Sequence, residues 1–330
     1  MNSEKKRSVV YSIVIPAYNE EKNLAALMGR IEKTMSSVQG TYEVIIVDNG
    51  SYDSTPLILD NLAQRYQSLV AVTLSRNFGY DNAISAGMDF VSGEKVIIMD
   101  GDQQDPPEVI PDFINKAKEG YDIVYGIRKK RTENRIIGFQ MKLFYRIWKS
   151  MVSFNVPADA GNFGIISRRV ADIIIKMPEQ NKFIRGLRAW TGYPSAGLEY
   201  ERVERQLGET KFSFLSYLNH AVNGITSFSS FPLRLFTYLG FAGLFLSLVL
   251  GGFFFITRLA ELFGYKVLFY NISSGFTTLS LITLFSFSVT LLGLGIIGEY
   301  VGRIFEEVKK RPSYLISKVT RNGESRINSD

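Results

Sequence analysis

Short apolar runs of strand length recur through the first 130 positions: Val9 to Ile15, Val44 to Val47, Leu69 to Leu74, Val96 to Met99 and Ile123 to Tyr125. Between them the apolar spacing changes to that of a helix. Glu20 to Met35 carries Leu24, Leu27, Met28 and Ile31 on one helical face. Ser54-Thr55-Pro56 predicts a further helix start with Ser54 as its cap, because a hydroxyl there accepts from a free N–H and proline suits the first turn. Strands alternating with helices predict βαβ units and an α/β fold with a mostly parallel sheet.

The pattern changes past residue 234. Leu235 to Ile256 carries no charge, and its 22 residues would rise roughly 33 Å as a helix, against a hydrocarbon core of about 30 Å. A second uncharged run, Val267 to Gly298, places another span near Phe276 to Gly298. The pattern predicts a two-helix transmembrane hairpin, about 235–257 and 276–298, within 234–300. A buried hairpin of a soluble protein is the alternative, and the lengths go against it. Before it, Phe214, Leu215, Leu218, Val222 and Ile225 recur at helical spacing. Residues 212–233 therefore suit juxtamembrane helices lying in the interface, or equally a helix packed on the soluble body. Residues 1–211 form the soluble domain and 301–330 a basic tail. Arg303, Lys309, Lys310 and Arg311 follow the second span closely, whereas the inter-span loop holds only Arg258 and Lys266 as cations. The positive-inside rule then puts the tail, and with it the N-terminal body, on the cytoplasmic side.

Composition removes several kinds of chemistry. There is no cysteine and a single histidine, His220, so thiolate centres, disulfides and multi-histidine zinc sites are excluded. The formal charge of +6 suits anionic lipid or a diphosphate and lacks the dense basic face of a nucleic-acid binder.

Polar clusters follow the carboxyl ends of the predicted strands: Tyr18-Asn19-Glu20, Asp48-Asn49-Gly50-Ser51, Ser75-Arg76-Asn77 and Asp100-Gly101-Asp102. In an open α/β sheet that edge binds ligands. Asp100 and Asp102 are hard oxygen donors that can hold Mg²⁺ or Mn²⁺, an ion that would neutralise a departing diphosphate. Gly101 between them permits close backbone approach. Asp48 can accept from a ribose or base edge. Of the cations Arg128 to Arg131, Arg128 alone is chosen against phosphate, where a planar fork bonds bidentately.

The strings Ile15-Pro16-Ala17-Tyr18-Asn19-Glu20, Val47-Asp48-Asn49-Gly50-Ser51, Ser75-Arg76-Asn77-Phe78-Gly79 and Asp100-Gly101-Asp102-Gln103-Gln104-Asp105-Pro106-Pro107 resemble the family 2 glycosyltransferases of the GT-A fold. Within them the chain resembles the polyisoprenyl-phosphate group, and its two apolar runs and tail are most similar to the bactoprenol glucosyltransferases. The resemblance covers nearly the whole chain. It implies nucleotide contacts at Pro16, Tyr18, Glu20, Asp48, Asp100 and Gly101, metal and diphosphate positions at Asp100, Asp102 and Gln104, and a phosphate contact at Arg128. It further implies that Arg205 and Lys211 grip the acceptor phosphate and that Asp159 stands near the reacting sugar, with Asp102 and Asp159 carrying the catalysis. Two positions depart from the pattern. Asn49 and Asn162 stand where many relatives have Asp.

What the resemblance implies is an inverting, metal-dependent, single-displacement transfer of a hexose to a polyprenyl (undecaprenyl-type) phosphate at a bacterial inner membrane. UDP-glucose is the favoured donor; GDP-mannose and UDP-aminosugars are the alternatives, and a homo-oligomer fits the family. A lipid phosphate is already anionic, so a general base matters less than for a sugar hydroxyl. A processive synthase would carry more spans and a Gln-x-x-Arg-Trp string, and Arg188-Ala189-Trp190 does not match it. A dehydrogenase would need Gly-x-Gly-x-x-Gly after the first strand, which is absent. An inactive scaffold would not need Asp100, Asp102 and Asp159 intact.

Overall fold

A computed structural model describes residues 9–128, 160–180, 182–202, individual positions between 233 and 263, and 275–327. The predicted runs are strands. β1 (Tyr11–Ala17), β2 (Tyr42–Asp48), β3 (Leu69–Leu74) and β4 (Lys95–Ile98) pair in parallel in the order β4-β1-β2-β3. All seven residues of β1 are buried, which explains why it reads as a continuous apolar run: helices cover both faces of a parallel sheet. The helices α1 (Leu24–Ser36), α2 (Thr55–Arg65), α3 (Tyr80–Met88) and α4 (Ile110–Lys118) connect these strands and lead to β5 (Ile123–Arg128). Leu24, Leu27, Met28 and Ile31 face the core as their spacing predicts.

Two helix starts differ in detail from the expected ones. The Glu20 carbonyl accepts from the N–H groups of Asn23 and Leu24 at 3.0 and 3.3 Å, so residues 20–23 form a turn and α1 opens at Leu24. Ser54 occupies the cap position of α2 without a side-chain bond. Its neighbour Asp53 does that work, accepting from the Thr55 N–H at 3.0 Å and the Glu21 N–H at 3.3 Å.

Antiparallel strands flank the parallel block. On one side β6 (Ala160–Ser167) pairs with β4 and β5, and β5 pairs in parallel with β7 (Ser195–Tyr200). Helices α5 (Arg168–Lys176) and α6 (Ile184–Trp190) lie between β6 and β7 in the chain. On the other side the expected tail is part of the sheet. β8 (Ile316–Arg321) pairs antiparallel with β3 and β9 (Glu324–Ile327) with β8, giving the order β7-β5-β6-β4-β1-β2-β3-β8-β9. Asp60 of α2 fastens β8 by accepting from Lys318 at 2.5 Å and Thr320 at 2.9 Å. The 301–330 boundary is corrected accordingly: the described residues from Lys310 on fall with those up to Arg202 in one compact unit, and the described residues from Leu233 to Lys309 form the other. Pairing the edge of β3 satisfies N–H and C=O groups that an open sheet leaves bare.

The second unit contains α7 (Gly275–Lys309). It is the one helix among the described residues long and apolar enough to cross a membrane, and Leu284, Phe285, Leu292 and Ile304 on it are all more than half exposed. The helix runs past the expected end at Gly298, carried by pairs one turn apart, Glu299 with Arg303 at 3.0 Å and Glu306 with Lys309 at 2.8 Å. Of the expected first span, the described positions are helical, and the Phe236 ring lies 3.0 Å from where a side chain on Gly293 would begin. The remaining positions of that span, and the juxtamembrane segment 212–232, lie outside the described residues.

Candidate active site

The register of the parallel block puts the predicted clusters side by side. Ala17 is level with Asp48, and Val14 with Ile98, so the chains leaving β1, β2 and β4 emerge on one edge. Side chains then tie cluster to cluster. The Asn19 N–H donates to Ser51 Oγ at 2.8 Å, Asn19 Oδ1 accepts from the Tyr52 N–H at 3.1 Å, and the Glu20 N–H donates to Thr55 Oγ1 at 2.9 Å. Asn19 adopts a positive φ of 55°, which asparagine tolerates better than most residues.

Asn49 uses both halves of its amide. Its Nδ2 donates to Asn77 Oδ1 at 3.2 Å, and its Oδ1 accepts from the Phe78 N–H at 2.9 Å. An aspartate could make only the second bond, so this departure from the family pattern is built into the link between β2 and β3. Gly50 follows at φ 69°, where a Cβ would stand 2.3 Å from the Arg76 carbonyl carbon. No other residue fits that approach.

The predicted nucleotide positions are brought together. Pro16 and Gly101 meet across the β1–β4 edge, a Cβ on Gly101 coming within 3.1 Å of the Pro16 carbonyl oxygen. Tyr18 packs edge-on against Tyr52 with ring centres 5.9 Å apart. The Glu20 carboxylate accepts from Asn23 Nδ2 at 2.5 Å. Asp48 is fully buried; its Oδ1 accepts from the Ser51 N–H at 3.0 Å, while Oδ2 has no partner. Burial pushes its carboxyl above the ordinary range.

At the end of β4 the character changes from amides to charges. Asp100 Oδ1 accepts from the Tyr80 hydroxyl at 2.5 Å, and Asp102 Oδ1 from the Gln104 N–H at 3.1 Å. Burial, followed by the charge of Asp105, raises the Asp100 carboxyl to about 7. Asp105 is 1% exposed and accepts from the Tyr200 hydroxyl at 2.7 Å. That hydroxyl also receives Arg128 Nε at 3.5 Å. Arg202 faces all three carboxylates, with its guanidinium 3.8 Å from Asp100, 4.0 Å from Asp102 and 3.9 Å from Asp105. Among the described residues no group of three or more His, Asp and Glu side chains could by itself hold a metal ion.

Tyr80, Asp105, Arg202, Tyr200 and Arg188 were not predicted as site residues. Asp105 stands inside the Asp100–Pro107 string, so proximity alone pointed to it. Tyr200 and Arg202 reach the site through the parallel pairing of β7 with β5, which no local pattern reveals. Arg188 is 3% exposed and donates to the Gly161 and Asn162 carbonyls at 2.8 and 3.4 Å, with burial lowering it to about 10. It therefore holds the first residues of β6, next in the chain to Asp159, and the Asn162 amide bonds the Tyr80 hydroxyl. Asp159, Arg205 and Lys211 lie outside the described residues.

Residues 12–173 match the model of Glycosyl transferase family 2. The chain is 40% identical to an uncharacterized glycosyltransferase of Synechocystis sp. over 94% of its own length and 95% of the relative's. It is 38% identical to the uncharacterized glycosyltransferase YkcC of Bacillus subtilis over 94% of each. It is also 36% identical to the prophage-derived bactoprenol glucosyl transferase of Shigella flexneri, over 94% of this chain and 98% of that one. With the motifs gathered on one sheet edge and relatives of this kind matched over nearly all of both chains, the chain is an enzyme of the family 2 glycosyltransferases, in the group that includes the bactoprenol glucosyl transferases.

Proposed function

We propose that this enzyme transfers glucose from UDP-glucose, with inversion, to a polyprenyl phosphate at the cytoplasmic face of a membrane. The observation that carries the reading is the charged half of the sheet edge, where Asp100, Asp102, Asp105, Arg128 and Arg202 gather beside the amide-lined Tyr18–Asn77 half. Its likeness to a bactoprenol glucosyl transferase over nearly all of both chains supports the lipid acceptor and the sugar. The exposed apolar length of α7 supports a membrane anchor, and the approach of Phe236 to Gly293 supports a second helix beside it.

Asp100 and Asp102 fit a hard divalent cation: both carboxylates already face one cationic group within 4.0 Å. Mg²⁺ characteristically takes one or two carboxylates and completes its shell with substrate phosphate and water, so two protein carboxylates with Gln104 are a sufficient set. Such an ion, when bound, supplies charge neutralisation for the leaving diphosphate. The buried Asp48 Oδ2 is an acceptor free for a hydroxyl or imide N–H of the nucleotide. Arg128 faces the diphosphate, and Arg205 with Lys211 holds the acceptor phosphate. An oxygen of that phosphate attacks the anomeric carbon while the bond to the UDP oxygen breaks, and its electron pair leaves with UDP. The attacking oxygen carries no proton at neutral pH, so Asp159 orients acceptor or sugar, and positioning with electrostatics provides the rate.

The test incubates the purified chain with UDP-glucose, GDP-mannose or a UDP-aminosugar, together with Mg²⁺ and undecaprenyl phosphate, and weighs the lipid product. A hexose added from UDP-glucose is expected. A product only from another donor overturns the sugar, and no lipid product from any donor overturns the acceptor.

A further inference from the structure

Arg202 stands among three carboxylates without bonding any of them. Its distances to Asp100, Asp102 and Asp105 fall between 3.8 and 4.0 Å, whereas a guanidinium committed to a carboxylate closes to about 2.7–2.9 Å. Its Nε is buried with no hydrogen-bond partner, and so is Asp105 Oδ2. A finished structural ion pair would satisfy both atoms. The side chain is 28% exposed, which leaves it room to turn.

We propose that Arg202 is a resident counter-cation, holding the acidic cluster together until a divalent cation takes Asp100 and Asp102, and then turning to the donor's diphosphate. Three carboxylates gathered at the end of β4 and its following loop repel one another, and the guanidinium offsets their summed charge rather than that of one partner. A divalent ion on Asp100 and Asp102 would meet the same guanidinium at close range, where two positive charges cannot share one place cheaply. The diphosphate offers the displaced group a better match, because the planar fork bonds phosphate oxygens in pairs. Metal and donor then bind as a linked pair: the metal releases the arginine and the diphosphate receives it. The inference rests on the donor and metal reading above, but it needs neither the lipid acceptor nor the identity of the sugar.

The experiment measures Mn²⁺ affinity of the full-length protein in detergent by paramagnetic resonance, without and then with UDP, for wild type, Arg202→Gln and Arg202→Lys. Without UDP, Arg202→Gln is expected to bind Mn²⁺ about tenfold more tightly than wild type, since one opposing charge at about 4 Å has gone. Arg202→Lys keeps the charge and should stay near wild type. With Mn²⁺ saturating, Arg202→Gln should bind UDP several-fold more weakly. Mn²⁺ affinity in Arg202→Gln equal to or weaker than wild type overturns the counter-cation role, and unchanged UDP affinity overturns the exchange. Mn²⁺ bound by none of the three proteins overturns both together with the metal assignment. A failed lipid transfer beside the expected Mn²⁺ change would overturn only the acceptor reading.

Discussion

The two halves of the sheet edge are built on different principles. From Tyr18 to Asn77 the polar side chains bond backbone N–H groups of neighbouring clusters, and in one case each other, at 2.8 to 3.3 Å, and Gly50 closes the joint with its backbone against Arg76. Around Asp100, Asp102 and Asp105 the charges face Arg202 at 3.8 to 4.0 Å. The first half is bonded together apart from the buried Asp48 Oδ2, which has no partner. The second holds charge that a ligand must complete, which is the arrangement expected where a diphosphate departs. Substitutions should therefore separate by kind: the bonded amides and Gly50 answer in stability, the charged half in turnover.

The largest effect belongs to Asp102→Ala, which should lower transfer by roughly 10³-fold or more with the melting temperature near wild type. Turnover close to wild type would remove Asp102 from the chemistry. Next comes Gly50→Ala, which forces a positive φ and a backbone clash; a loss of about 2–4 kcal/mol in unfolding free energy is expected, read by denaturant titration. A neutral result there would mean that the joint is not rigid.

Asp81 gives a pH test on the same scaffold. It accepts from the Ile184 N–H at 3.2 Å, and burial raises its carboxyl from 3.8 to about 6. A carboxyl raised on folding favours the folded state below pH 4 and loses that contribution as pH climbs through 6. Relative to Asp81→Asn, the wild type should therefore lose on the order of 2 kcal/mol between pH 4 and pH 7, seen as converging or crossing melting curves. Parallel curves would sink this assignment. The smaller effects come last. Asn49→Asp should cost about 1 kcal/mol through the bond to Asn77, and Lys211→Ala should raise KM for lipid phosphate more than for nucleotide-sugar.

The four parallel strands were legible because each is buried on both faces and so reads as an unbroken apolar run. β7 was not, since its residues are mostly exposed or half-exposed and carry no such run. The tail looked like a polar segment because β8 and β9 add to an edge through backbone bonds, which ask little of the side chains. The site divides in the same way. Residues adjacent to a strand end, such as Asp48 and Asp100, could be read from their motifs. Tyr80, Arg188 and Arg202 reach it only through the packing of α3, α6 and β7, so spacing along the chain says nothing about them. The likeness of whole motifs, rather than periodicity, pointed to Asp159, Arg205 and Lys211.

The most direct measurement follows transfer of labelled glucose from UDP-glucose to undecaprenyl phosphate by the purified enzyme, first stripped with a chelator and then given Mg²⁺. The account predicts that the lipid product disappears on chelation, returns with Mg²⁺ in the wild type, and does not return in Asp102→Ala. Lipid glucosylation that persists under chelation, or that Asp102→Ala performs as well as the wild type, would contradict it.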